Sequence, residues 1–276
     1  MSAPKPKRTT PLQAAAILAA ILWFGILILL PIGVMVYKAF ENGAGAFLAA
    51  LVTPEARHAF RLTLIITAAS VAVNTLIGLP IAFALARYRM RLKTVVDGLV
   101  NLPLAVSPIV AGLMFLLLVG RIGWFGDALE GAGIKIAFAL PGMIIATMFV
   151  SLPFVVREVV PILEEVGTEG EEAAATLGAG RLQTFFRVTL PAMRWGLIYG
   201  MTLTTARAMG EFGAVMVISG NIIRKTQTVP LHINQALADF DYQGAYSSAL
   251  VLAAVSFAIL IVVQTIYQRK RGAENE

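Results

Sequence analysis

The sequence predicts an all-α integral membrane protein with six membrane-crossing helices. Two observations carry this. Only 14% of the 276 residues are charged against 58% hydrophobic, and the mean hydropathy is +0.80. A soluble chain has roughly a quarter of its residues charged to cover its surface. The few charges are also spaced so that long stretches between them hold none. A soluble enzyme is thereby excluded. The 22 Lys/Arg against 16 Asp/Glu read as membrane topology rather than nucleic-acid binding. Cys is absent, which removes disulfides, thiolate metal sites and a Cys nucleophile.

A hydrocarbon core about 30 Å thick needs roughly 20 mostly apolar residues to cross it. Residues 9–37, 62–86, 98–120, 136–156 and 242–268 carry no charge and predict five spans. A sixth, residues 195–219, is long enough but holds Arg207 and Glu211, each costly at mid-membrane. The first apolar run is far longer than the 7–15 residues of a signal peptide core, so it is expected to be a retained helix. The chain then divides into a tail (1–11), a first helix (12–37), a core of five helices (62–268) and a second tail (269–276). Loops on one side carry 14 Lys/Arg and those on the other side seven. The positive-inside rule places both termini in the cytoplasm.

Prolines punctuate the spans. Pro103 and Pro108 bracket residues 104–107, and in a bundle such breaks survive where neighbours or a cavity satisfy the freed backbone groups. The pair is expected to expose backbone groups and the Ser107 hydroxyl to a polar path; ordinary kinks are the alternative.

Residues 161–191 (PILEEVGTEGEEAAATLGAGRLQTFFRVTLP) form the most patterned loop. Thr168 with Glu171 three residues on reads as a capping box that starts a helix near Glu169. Acidic residues 169, 171 and 172 suit that helix's positive end. Gly178 and Gly180 stop it. Leu182, Phe185, Phe186 and Thr189 mark a second short helix, ended by Pro191. Leu177, Phe185 and Phe186 are expected to hold the glycine elbow against the membrane helices. The shape suits docking into a partner's cleft, because acids disfavour lying on anionic lipid.

Within this loop, Glu172-Ala173-Ala174, Gly178 and Leu190-Pro191 follow the pattern E-A-A-x3-G-x9-I-x-L-P, with Val188 where Ile is usual. The chain thus resembles the bacterial ABC-importer permeases and their EAA loop. The segments PLAVSPIVAG (103–112), LPFVVRE (152–158), ARAMGEFGA (206–214) and SGNIIRKTQTVPLHI (219–233) are similar to sulfate/thiosulfate permeases, W-type rather than T-type. The resemblance implies a type I ABC-importer permease fold in the bacterial inner membrane, with cytoplasmic coupling helices. It implies alternating access for sulfate, and thiosulfate with it, driven by ATP and Mg bound to two separate ATPase subunits. A T-type permease and an extracytoplasmic binding protein would complete the complex. The ATPase-coupling residues carried over are Glu171, Glu172, Ala173, Ala174, Gly178, Leu190 and Pro191. Two rivals stay open: a molybdate or tungstate importer, which shares some of these segments, and an ion-gradient-driven anion transporter.

Arg207 and Glu211 lie four apart on an expected continuous helix, with Arg207 about 18 Å deep if that helix starts near Trp195. A buried ion pair that holds helices together accounts for both. A transient anion contact at Arg207 is the functional alternative. Ser219, Asn221, Thr226 and Thr228 either line the exit of the pathway or solvate a turn. Together with Pro103, Ser107, Pro108, Arg207 and Glu211 these make nine candidate pathway residues. Residues 220–226 superficially resemble a phosphate loop, but Arg224 stands where Gly must precede the Lys. His58 and His232 are isolated, and no metal site, cofactor or catalytic constellation is expected in this chain.

Overall fold

The computed structural model describes residues 10–88 and 91–274 of the chain. In chain order the helices are α1 (Pro11–Phe40), α2 (Gly43–Leu51), α3 (Pro54–Arg87), α4 (Lys93–Ala105), α5 (Pro108–Val119), α6 (Gly126–Gly131) and α7 (Leu140–Val166). Then come α8 (Glu169–Thr176), α9 (Arg181–Thr184), a π-helical turn (Phe185–Thr189), α10 (Leu190–Met209), α11 (Gly213–Ser219), α12 (Val229–Ala238) and α13 (Tyr242–Glu274). Caps fix several starts. The Thr10 hydroxyl accepts from the Gln13 N–H at 3.3 Å and the Gln13 side chain accepts from the Thr10 N–H at 3.0 Å. Thr53 caps α3 through the Ala56 N–H, with Pro54 pre-set for the first turn.

Among the described residues, four helical segments are long and apolar enough to cross a membrane: Ala15–Phe40, Pro54–Arg87, Leu140–Val166 and Tyr242–Ile266. These match the first, second, fourth and last expected spans. The expected third span is not one helix. It is α4 and α5, bent by 109° at Val106 and Ser107. Both of those residues are extended, because Pro108 cannot donate to the helix ladder and pushes Ser107 out of the helical region. The expected sixth span also breaks, with α10 ending at Met209 and α11 starting at Gly213. Arg157 and Glu158, assigned from the sequence to the following loop, lie inside α7, which continues to Val166.

Helices α3 and α7 run parallel and form the centre. Apolar surface gains nothing from leaving lipid for protein, so close packing and hydrogen bonds must hold them. Asn74, buried on α3, donates to the Met148 carbonyl at 3.0 Å and to Ser151 Oγ at 2.9 Å on α7. Ser151 Oγ in turn donates to the Thr147 carbonyl at 2.6 Å. Gly200 of α10 allows similar closeness: a Cβ there would lie 3.2 Å from Val155 Cα. Two clusters of buried side chains flank the polar seam. Leu62, Ile66, Met143, Val150, Val215 and Ile218 fill one end; Leu85, Val100, Val156, Val159, Leu163 and Met193 fill the other. Among the described residues helix α1 packs mostly on α13 and α2 and exposes its apolar face, as a lipid-facing helix does.

Candidate functional site

The loop between α7 and α10 builds the first candidate site. Helix α8 starts at Glu169 as the sequence predicts, but the capping box does not form. Thr168 Oγ1 instead donates to Glu172 Oε1 at 2.7 Å. Glu171 turns inward, where its Oε1 accepts from Arg87 Nε at 3.1 Å and from Thr189 Oγ1 at 3.0 Å. A buried guanidinium outcompetes a backbone N–H for a carboxylate. Arg87 also donates through Nη1 to the Leu163 carbonyl at 2.6 Å and through Nη2 to the Gly167 carbonyl at 2.7 Å. In the sequence Arg87 is one of the 14 loop Lys/Arg and Thr189 one residue of the second short helix, and neither is among the expected site residues. No local signal marks either as a site residue, since Arg87 lies 84 positions from Glu171.

Gly178 ends α8 with φ +83°, and the elbow closes with Ala179 N–H on the Ala174 carbonyl and Gly178 N–H on the Ala175 carbonyl, both at 3.0 Å. This is a Schellman motif, whose left-handed position favours glycine. Beyond it the chain does not stop at Pro191. Leu190 N–H reaches back to the Phe185 carbonyl, and the widened π turn absorbs the proline so that α9 runs on into α10. The elbow's apolar residues divide in a way the sequence did not predict. Phe185 packs inward against Phe83, while Leu177, Leu182 and Phe186 are 88%, 76% and 61% exposed. A groove of about 260 Å³ lies between the two arms, lined by Ala174, Leu177, Gly178, Ala179, Gln183 and Val188 among others. Glu172 and Ala173 are exposed beside it, Leu190 is half-buried in the α3–α7 core, and Pro191 is exposed.

The second candidate site sits at the two helix breaks. Arg207 Nη1 approaches Glu211 Oε2 at 2.6 Å, and Glu211 Oε1 accepts the Ala214 N–H at 2.9 Å. The expected shared helix face is absent because the helix ends between them. Glu211 therefore caps the first turn of α11 while holding Arg207 across the break. Its side chain is only 2% exposed and that of Arg207 31%. Pro108 lies alongside: a Cβ on Gly213 would be 3.0 Å from Pro108 Cβ. Pro103 is buried in α4, whereas Ser107 is exposed at the bend.

Ser219, Asn221, Thr226 and Thr228 come together away from that pair, as a turn. Thr226 Oγ1 donates to the Ser219 carbonyl at 2.7 Å and accepts from the Ile222 N–H at 3.1 Å. Asn221 N–H donates to Ser219 Oγ at 3.1 Å, and buried Gln227 donates to Asn221 Oδ1 at 3.1 Å. Ser219 and Thr226 are buried and their hydroxyls build the turn, whereas the buried Thr228 hydroxyl has no hydrogen-bond partner among the described residues. The segment is no phosphate cradle: it follows a helix, and its threonine hydroxyl is spent internally. Among the described residues no three His, Asp or Glu side chains gather as a metal site requires.

Comparison with known proteins places this geometry. The family model for the binding-protein-dependent transport system inner membrane component matches residues 75–271. The sulfate transport system permease protein CysW of Synechococcus elongatus is 46% identical over 264 residues, which is 96% of this chain and 92% of that protein. The sulfate transport system permease protein CysT of Salmonella typhimurium is 37% identical over 269 residues, 98% and 97% of the two chains. A bacterial ABC transporter that imports the acidic polysaccharide alginate shares the fold, with a TM-score of 0.78 at 17% identity over 94% of this chain and 95% of that one. The architecture is the type I ABC-importer permease fold, in a multi-pass membrane protein. The chain belongs to the family of inner-membrane components of binding-protein-dependent transport systems.

Proposed function

We propose that this chain is the W-type permease subunit of an ATP-driven importer of sulfate, with thiosulfate as a second substrate. The observation that carries the reading is the elbow at Gly178. It presents three bare apolar side chains and an exposed acid around a groove, on helices tied directly to the membrane core. Such a surface fits the cleft of a separate ATPase better than it fits water or anionic lipid. Glu172, Ala173, Ala174 and Gly178 face that partner, and Leu190 and Pro191 hand the elbow's motion to α10. ATP and Mg are held by the ATPase, and this chain performs no chemistry of its own.

The likeness to sulfate permeases along nearly the whole chain supports the anion. A T-type chain is the partner permease, a binding protein delivers the anion outside, and both termini face the cytoplasm. Closure of the ATPase dimer moves the elbow and opens the pathway outward; hydrolysis resets it. Arg207 lends transient positive potential to the passing dianion at the α10–α11 break, with Glu211, Pro103, Ser107 and Pro108 shaping that path. The polar turn from Ser219 to Thr228 supports its outer end.

Labelled sulfate and molybdate uptake, measured in cells lacking this chain with and without a plasmid copy, tests the reading. Loss and rescue of sulfate uptake alone supports it. Loss of molybdate uptake alone keeps the architecture and overturns the anion. Uptake that survives ATP depletion under a held ion gradient overturns the ATP-driven mechanism.

A further inference from the structure

We propose that Arg87 is the positioning residue that yokes the coupling helix to α3, so that movement of the elbow reaches α3 and α10 together. The proposal rests on the coupling role assigned to the elbow above. Helix α8 has only eight residues and is joined to α7 through Gly167, which has φ +68° and open space around it. A short helix on a glycine joint transmits little force by itself.

Arg87 supplies what the joint lacks. It is the last residue of α3, and its side chain is 7% exposed. All three of its guanidinium nitrogens are engaged: two on the Leu163 and Gly167 carbonyls at the end of α7, and the third on Glu171 of α8. Those carbonyls are end-of-helix acceptors, the groups a helix leaves without internal partners. Thr189, in the π turn that leads into α10, donates to the same Glu171 oxygen. Glu171 Oε1 is therefore a single node that joins α3, α8 and the start of α10. A planar fork can hold three acceptors at once; an ammonium group on a flexible stem cannot reproduce that geometry.

A merely structural role would lower the amount of assembled complex and leave the work done per ATP unchanged. The test uses the complete complex in liposomes, with its partner permease, ATPase subunits and binding protein, and reads sulfate transported per ATP hydrolysed. Arg87→Lys and Glu171→Gln are expected to lower that ratio about tenfold in complexes that still assemble. Thr189→Val, which leaves the charges in place, is expected to give a smaller fall and keeps the test readable if the charge variants do not assemble. Gly178→Pro is measured beside them. If it lowers the ratio while every assembled node variant keeps the wild-type value, the coupling role stands and the yoke is overturned. If Gly178→Pro also leaves the ratio unchanged, the coupling role itself fails and takes the yoke with it.

Discussion

Gly112 of α5 lies so close to Ala214 of α11 that a Cβ on the glycine would sit 2.6 Å from the Ala214 carbonyl oxygen. The two half-spans left by the helix breaks are thus locked backbone to backbone. Gly213 repeats the contact from the other side, against Pro108 and Ile109. Elements this close have no room for continuous deformation, so the two breaks move as one body or not at all.

Gly112→Ala is expected to destabilise the protein by about 1–3 kcal/mol, because the obstructing atom is backbone and cannot swing away. Gly25→Ala in α1 is the matched control, with nothing within 4 Å of the added methyl. It is expected to be neutral or stabilising by up to about 1 kcal/mol. Thermal unfolding of both variants in detergent checks the pair. Equal melting temperatures would refute the close-packing account.

Removal of either half of the Arg207–Glu211 pair should cost about 3–5 kcal/mol if the pair behaves as fully buried, and less in proportion to the exposure of Arg207. The double variant Arg207→Met/Glu211→Gln removes both charges and is expected to recover most of that stability. Anion uptake should stay lost in the double variant. Recovery of uptake along with stability would assign the pair a purely structural role.

The elbow can be strained without adding bulk in a crowded place. Gly178 has φ +83° and nothing within 4 Å of where a Cβ would go. Gly178→Ala is therefore expected to cost only the left-handed backbone penalty, about 1–2 kcal/mol. Gly178→Pro, which cannot adopt that φ at all, should abolish uptake while membrane insertion stays normal. Sulfate uptake compared with the amount of inserted protein separates the two effects.

His232 gives a pH dependence with a definite sign. Burial in α12 lowers its pKa from the ordinary 6.5, and the carboxylates of Asp241 and Glu55 only partly oppose this. The unfolded chain therefore binds a proton that the fold resists. Stability is full above about pH 6.5 and declines as the pH falls from there toward the lowered folded value. His232→Gln should flatten that decline in melting temperature between pH 7.5 and 5, and an unchanged slope would remove His232 as its source.

The elbow shows how much of a site can be legible beforehand. The start of α8 near Glu169, the glycine stop at Gly178 and the two-armed shape all follow from local signals: acids in a first turn, strong helix formers, then a left-handed residue. What each side chain would touch did not follow. Thr168 and Glu171 have the spacing of a capping box, yet Glu171 found Arg87, whose competing attraction comes from 84 positions away. Leu177 and Phe186 have the same apolar character as Phe185, and only the packing of α3 decides which of the three is covered.

By itself the sequence determined the class and located the apolar segments, four of which are continuous helices long enough to cross a membrane. The energy of placing charge or an open backbone in hydrocarbon is large and depends on each segment's own composition. It also marked the bend before Pro108, because proline acts on its own backbone and nearest neighbour, but it left the break at Gly210–Phe212 unmarked. Only the tertiary structure decided that the bends at Val106–Ser107 and Gly210–Phe212 stack on one another. It alone turned Arg207 and Glu211 into a pair across a break rather than along a face, and it alone gathered three helices on one oxygen of Glu171. Those outcomes depend on distances between segments far apart in the chain, which local composition and spacing do not encode.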